Sequence, residues 1–311
     1  MRRALSALAA AAALGGAPAG AVGVSPGGIT IDVPAGTANP VAPGIGVLPD
    51  PSAVYVDDVY LRELAFPGVT FAGPDSYRAA GAFEVLAGRS QVNVEWGDGD
   101  SAADGDPDPM TRVGQSPAAK ETTDPPVQDG ALRDALGSLS LTEMIDGEGG
   151  AASYKLGFSA GITDDSPGDA ADGSPEIVLF ERGRNDVFSL SLIVGGTFGT
   201  PVLSAPLEID SATFADVGLR VDTTEIGGAQ SLGVAGFDLD EWGIAPGASV
   251  FGYVYEGSGA DLAGAFATGA PAAFVDPLPD IGPSVVPLPG GVVLLLSGLA
   301  CACLLGRRRP A

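Results

Sequence analysis

The sequence predicts an all-β fold. The body reads as an antiparallel β-sandwich or jelly-roll-like unit with one short helix, set between an N-terminal signal peptide and a single C-terminal transmembrane helix. Three observations lead there. Glycine (47) and proline (26) make up about a quarter of the 311 residues, which favours short strands joined by turns over a helical bundle. About ten runs rich in β-branched and aromatic residues recur between Gly, Asp and Pro clusters, with no helices alternating between them. Both ends carry an apolar run next to arginines, unlike anything in the middle.

Residues 1–21 have the layout of a secretory signal peptide. Arg2 and Arg3 precede an apolar stretch over 4–14, and Ala17-Pro18-Ala19 and Ala19-Gly20-Ala21 offer small-x-small cleavage sites, with Ala19 and Ala21 as the recognised small residues. Residues 22–52 are Pro/Gly-rich and read as a linker or loosely attached edge, with one strand-like patch over 29–33. A domain then spans 53–276. Its first strands are expected at 54–56, 59–61, 82–86 and 91–96. In the last of these Val92, Val94 and Trp96 alternate with Gln91, Asn93 and Glu95, which predicts one buried face.

Residues 97–130 carry many turn formers and few apolar anchors, and read as a long surface loop. Leu132, Ala135, Leu136 and Leu139 then stand at i, i+3, i+4 and i+7, the spacing of a short amphipathic helix stopped near Gly137. Further strands are expected at 153–159, 176–181, 187–194, 203–210, 218–222, 234–240 and 249–255. Residues 277–289 form a second Pro-rich linker, 290–306 a transmembrane helix and 307–311 a basic tail.

Charge narrows the function classes. The chain has 15 Lys+Arg against 39 Asp+Glu, and five of the basic residues lie at the two ends, where no acid is found. The body therefore holds 10 basic and 39 acidic groups, a net of −29. Such a surface repels phosphates and anionic headgroups, so nucleic acid is excluded as a partner, and it suits capture of cations. Both cysteines, Cys301 and Cys303, sit in the C-terminal apolar run, so the body has no disulfide, thiolate metal site or cysteine nucleophile.

Candidate sites follow from the acids. Asp98, Asp100, Asp104, Asp106 and Asp108 place hard oxygen ligands at alternate positions, the pattern Ca²⁺ takes. An EF-hand-type loop is not complete, because Pro109 occupies the sharp-turn glycine position and Gln115 stands where a bidentate glutamate belongs. A looser calcium site closed by other acids, or a plain solvated loop, are the two readings. Asp164, Asp165, Asp169 and Asp172 have the same two readings. Glu143, Asp146 and Glu148, or Asp238, Asp240 and Glu241, are numerous enough to pair for glycosidase chemistry, but acids are so common that pairing carries little information. Residues 157–161 match G-x-S-x-G, yet the chain has no histidine to take the proton of Ser159 and no helix signal follows. Trp96 and Trp242 read as core. No catalytic constellation is recognisable, and a non-enzymatic role is expected.

The tail carries the sharpest motif. Val286-Pro287-Leu288-Pro289-Gly290 enters an uncharged run just long enough to cross a thin bilayer, and Arg307, Arg308 and Arg309 follow as a stop-transfer and cytoplasmic anchor. This three-part tail resembles the exosortase sorting signals of Gram-negative bacteria, the PEP-CTERM class. Residues 286–290 look like its Val-Pro-Leu-Pro-Ala subtype, with Gly290 where that subtype has alanine. The body also resembles exosortase-dependent surface proteins in residues 93–98 (NVEWGD), 140–148 (SLTEMIDGE), 175–183 (PEIVLFERG), 222–226 (DTTEI) and 228–230 (GAQ). The resemblance implies a precursor held in the inner membrane, trimmed by signal peptidase and an exosortase, and delivered to the cell surface or medium. The alternative is a calcium-dependent carbohydrate-binding module whose partner is extracellular polysaccharide. The turn Glu181-Arg182-Gly183 is expected to fix a strand end through an internal ion pair.

Overall fold

The computed structural model describes residues 23–97, 123–147, 149–164, 174–223, 228–245 and 247–281. It is built of antiparallel sheets and one α-helix. The strands are β1 (Gly28–Val33), β2 (Gly44–Val47), β3 (Tyr60–Phe66), β4 (Val69–Ala72), β5 (Tyr77–Arg78), β6 (Ala80–Ala87), β7 (Val92–Glu95), β8 (Met144–Gly147) and β9 (Ala151–Thr163), followed by β10 (Ile177–Arg182), β11 (Phe188–Gly196), β12 (Pro201–Leu203), β13 (Leu207–Ile209), β14 (Ala215–Val221), β15 (Gln230–Phe237), β16 (Ser249–Ser258), β17 (Asp261–Thr268) and β18 (Phe274–Val275). The helix α1 runs Pro125–Gly137.

A five-stranded sheet, β14-β15-β10-β17-β5, lies at the centre. Its inner strands, β15, β10 and β17, are buried on both faces. On β10, Ile177 and Leu179 point into one core while Val178 and Phe180 point into another. This is the period-2 alternation of a strand, with apolar residues at both phases because neither face meets water. On β15, Ala235 and Phe237 face the first core and Leu232 and Val234 the second. A bulge against β10 between Phe180 and Glu181 shifts the phase of β17, so Leu262 and then Ala265 and Ala267 face the same core.

The first core is closed by the largest sheet, β12-β11-β16-β9-β18, with β13 pairing β11 and β6 pairing β9. It contributes a row of rings: Phe83 stacks on Tyr154 at 4.9 Å, Tyr154 on Tyr255 at 4.5 Å, and Tyr255 lies 5.3 Å from Phe188. Trp96 and Trp242 belong to this core, and the Trp242 indole N–H donates to the Leu190 carbonyl at 2.9 Å. The second core is closed by a four-stranded sheet, β2-β1-β3-β4, through Ile29, Ile31, Leu61, Leu64 and Phe71. Each large side chain fully buried in this way contributes about 1.5–3 kcal/mol. The five-stranded and the largest sheet enclose the first core, and the four-stranded sheet adds the second.

Helix α1 packs on β6 and on the two-stranded sheet β7-β8, burying Ala131, Leu132, Ala135 and Leu136. It begins earlier than the loop reading of 97–130 allowed. Pro125 and Pro126 occupy its first turn, where a missing N–H costs nothing and the fixed φ suits a helix, so prolines that look like loop residues open the element. Leu139 lies beyond its end.

Residues 24–52, expected as a linker, are built into the second core. β1 pairs with both β2 and β3, and Asn39 stitches the intervening loop. Its Nδ2 donates to the carbonyls of Asp57 and Asp58 at 3.1 Å, and its Oδ1 accepts from the Val56 and Asp57 N–H groups at 2.9 and 3.0 Å. Hydrogen bonding holds this Pro/Gly-rich stretch, and composition alone does not reveal that. Among the described residues no helix is long and apolar enough to cross a membrane. Residues 1–21 and 290–311 lie outside the described residues.

Candidate functional site

Most sequence-designated site residues lie outside the described residues: Ala19, Ala21, Asp98, Asp100, Asp104, Asp106, Asp108, Asp165, Asp169, Asp172, Val286, Pro287, Leu288, Pro289, Gly290, Arg307, Arg308 and Arg309. Among the described residues no three His, Cys, Asp or Glu side chains group so as to hold a metal ion. The G-x-S-x-G segment lies wholly inside β9, which continues to Thr163, so Ser159 sits within a strand and not on the strand-turn-helix that exposes a nucleophile. Asp238 accepts from the Asp240 N–H at 2.8 Å and caps a 3-10 turn over Leu239–Trp242, which also contains Asp240 and Glu241. Glu143 and Asp164 are buried.

The densest polar arrangement forms at the end of β10, around Arg182. Its side chain is 1% exposed. Its ion pair does fix a strand end, but the partners come from afar. Nη1 donates to Glu95 Oε2 of β7 at 2.6 Å and to Thr223 Oγ1. Nη2 donates to Asp146 Oδ1 of β8 at 3.2 Å and to Asp261 Oδ2 of β17 at 2.8 Å, and Nε donates to the same Asp261 oxygen at 3.2 Å. A guanidinium has five N–H donors, and these five bonds use them all. Burial works to lower the Arg182 pKa, but the charges of Asp261 and Glu95 outweigh it and raise it, so the guanidinium stays charged. The free oxygen of Asp261 accepts from the Gly147 N–H at 2.9 Å, tying β8 to the same node.

Glu95 is the point at which the sequence reading needs correction. Alternation placed Asn93 and Glu95 on a wet face, yet all four residues of β7 are buried. The carboxylate is buried because its cation reaches it from β10. Four stretches far apart in the sequence each supply one member of this node: Glu95 from 93–98, Asp146 from 140–148, Arg182 from 175–183 and Thr223 from 222–226. Together they form a buried framework, with no donor of Arg182 left for a ligand.

On the opposite face of β10 stands Glu181, 1% exposed, with no side-chain donor to either carboxylate oxygen among the described residues. Asp186, in the turn before β11, lies close enough to act on it. Burial and then the Asp186 charge push the Glu181 pKa up to about 8, against a smaller opposing pull from the Arg184 backbone N–H. Burial and the Asp261 charge push Asp186 up to about 6, while a hydrogen bond from Glu181 favours its anion. Beyond this pair the β10–β11 turn surfaces in an open depression of about 410 Å³ lined by Gly183, Arg184, Asn185, Gln230 and Ser231. Arg184 is held there by Asp216 at 2.9 Å. A second open depression, of about 390 Å³, lies between Ala87, Ala151 and Glu256. No family model, no curated protein and no solved structure matches the chain.

Proposed function

We propose that the chain is an exported, exosortase-sorted, non-enzymatic protein of the cell surface or extracellular matrix. The observation that carries this reading is the pairing of two address segments around an acidic body. Arg2 and Arg3 with the apolar run to 14 and the small residues Ala19 and Ala21 form one. Val286 to Gly290, the apolar run and Arg307 to Arg309 form the other. On this reading signal peptidase releases the N-terminus, the C-terminal helix holds the precursor in the inner membrane, and an exosortase cuts near Pro289. The body delivered is a jelly-roll-like β-sandwich enlarged by an extra sheet. Its excess of 29 negative charges keeps it off nucleic acid and anionic lipid.

The test replaces Pro287, Leu288 and Pro289 with alanine in the full-length chain carrying an internal tag. The mass of the mature C-terminus is then compared with wild type. Wild type should end near Pro289, and the variant should keep Arg309 and stay in the membrane fraction. Identical masses would remove the sorting claim. The aspartate ladder from Asp98 to Asp108 supports a second reading, a calcium-dependent carbohydrate-binding module. Calorimetry with Ca²⁺ and a glycan array decide it, and no heat with no glycan signal would dismiss it.

A further inference from the structure

We infer that Glu181 and Asp186 share one proton across the β10–β11 turn, and that alkaline loss of this proton unlatches that end of the central sheet. Glu181 is buried, and among the described residues no side-chain donor reaches either of its oxygens; the Arg184 backbone N–H exerts only a smaller pull. Among the described residues, the charged or titratable side chains that face it from neighbouring elements are two aspartates and a tyrosine, and the two nearby arginines hold other partners. Asp186 precedes β11, Asp261 belongs to β17, and Tyr255 lies on β16 with its own pKa raised by burial. Arg182 points to the other face with all five donors committed. Arg184 is paired with Asp216. Two facing carboxylates are acceptors only and repel. With one proton between them, Glu181 becomes a donor and Asp186 an acceptor, the direction in which each group's pKa is displaced by the other.

The consequence for stability has a definite sign. An acid whose folded pKa is raised keeps its proton in the native state after the unfolded chain has lost it, so stability is complete below the unfolded value and falls as pH climbs to the folded one. For the pair this runs from the ordinary values of 3.8 and 4.5 to steps at about 6 and about 8. The steps belong to the pair as a whole. Between about 6 and 8 one extra proton is held, so the unfolding equilibrium constant should rise about tenfold per pH unit. The chain has no histidine, so the usual source of proton linkage near neutrality is missing and the signal stands clear.

The experiment is urea unfolding of the full-length chain, followed by tryptophan fluorescence at a series of pH values from 5 to about 9, chosen to bracket the steps. Glu181→Gln keeps the shape and the donor of the protonated acid, and should abolish the rise between 6 and 8. Asp186→Asn should move the upper step to lower pH. Equal slopes for wild type and Glu181→Gln would overturn the inference. If Glu181→Gln fails to fold, hydrogen exchange on wild type decides. Amide protection over 183–187 and 230–232, corrected for intrinsic exchange, should drop as pH passes the upper step, and unchanged protection would overturn it. Millimolar Ca²⁺ should leave the pH step in place. A step erased by Ca²⁺ would mean that a cation and not a proton neutralises the pair, which also overturns the inference.

Discussion

Arg182 is the residue on which four strands and a loop depend. Buried ion pairs contribute little net stability when assembled from water, but removing one partner strands the others. Arg182→Ala would leave Glu95, Asp146 and Asp261 together in a buried site. The expected loss is about 3–5 kcal/mol, read as a lower urea midpoint at neutral pH. Arg182→Lys should rescue little, because an ammonium has three donors and no planar fork for five acceptor contacts. The acidic and basic letters of this node were all visible in the sequence. Their pairing was not, since Glu95 and Arg182 are 87 positions apart and alternation along β7 pointed Glu95 at water. The expectation of an ion pair at 181–183 found the right arginine and no partner for it.

At the scale of elements, local pattern worked where one face of a strand or helix meets solvent or a single core. The apolar spacing of Leu132, Ala135 and Leu136 found α1, and the aromatic and β-branched runs found β6, β9, β10, β11 and β16 within a few residues. It failed on β17, whose sequence DLAGAFAT has little β-branched character. That strand is nevertheless buried along its whole length, because it lies between two strands of the central sheet with a core on either face. The run at 203–210 divides into β12 and β13, which pair with different parts of β11. Gly252 marks another tertiary requirement. Its φ is 148°, and a Cβ would lie 2.0 Å from the Leu156 carbonyl oxygen where β16 bulges against β9. Gly252→Ala should cost at least about 1–3 kcal/mol, seen as a drop in thermal midpoint, since both the backbone angle and the close approach forbid a side chain.

For the molecule as a whole, the dominant long-range force is self-repulsion. A body with 29 excess negative charges is more strained when compact than when expanded. Raising salt from 0.01 to 0.15 M shortens the screening length from about 30 to about 8 Å, and should raise the unfolding midpoint at neutral pH. A fall would mean that surface ion pairs such as Arg89–Asp129 outweigh the repulsion. The two cores oppose this repulsion by burying both faces of the central sheet.

The sequence by itself determined what depends on composition and short-range order. It specified the all-β class, the amphipathic helix of the body, the excess of acid, the lack of histidine and of body cysteine, and the apolar runs beside arginines at both ends. Tertiary structure alone decided which sheet lies in the middle, that residues 28–33 belong to a core, and that Arg182 collects Glu95, Asp146, Asp261 and Thr223 while Glu181 is left to Asp186. The physical reason is range. Turn chemistry and hydrophobic alternation act over a few residues and are written in order along the chain. Burial on both faces of a sheet, and the pairing of buried charges, depend on segments that meet only after the chain has folded.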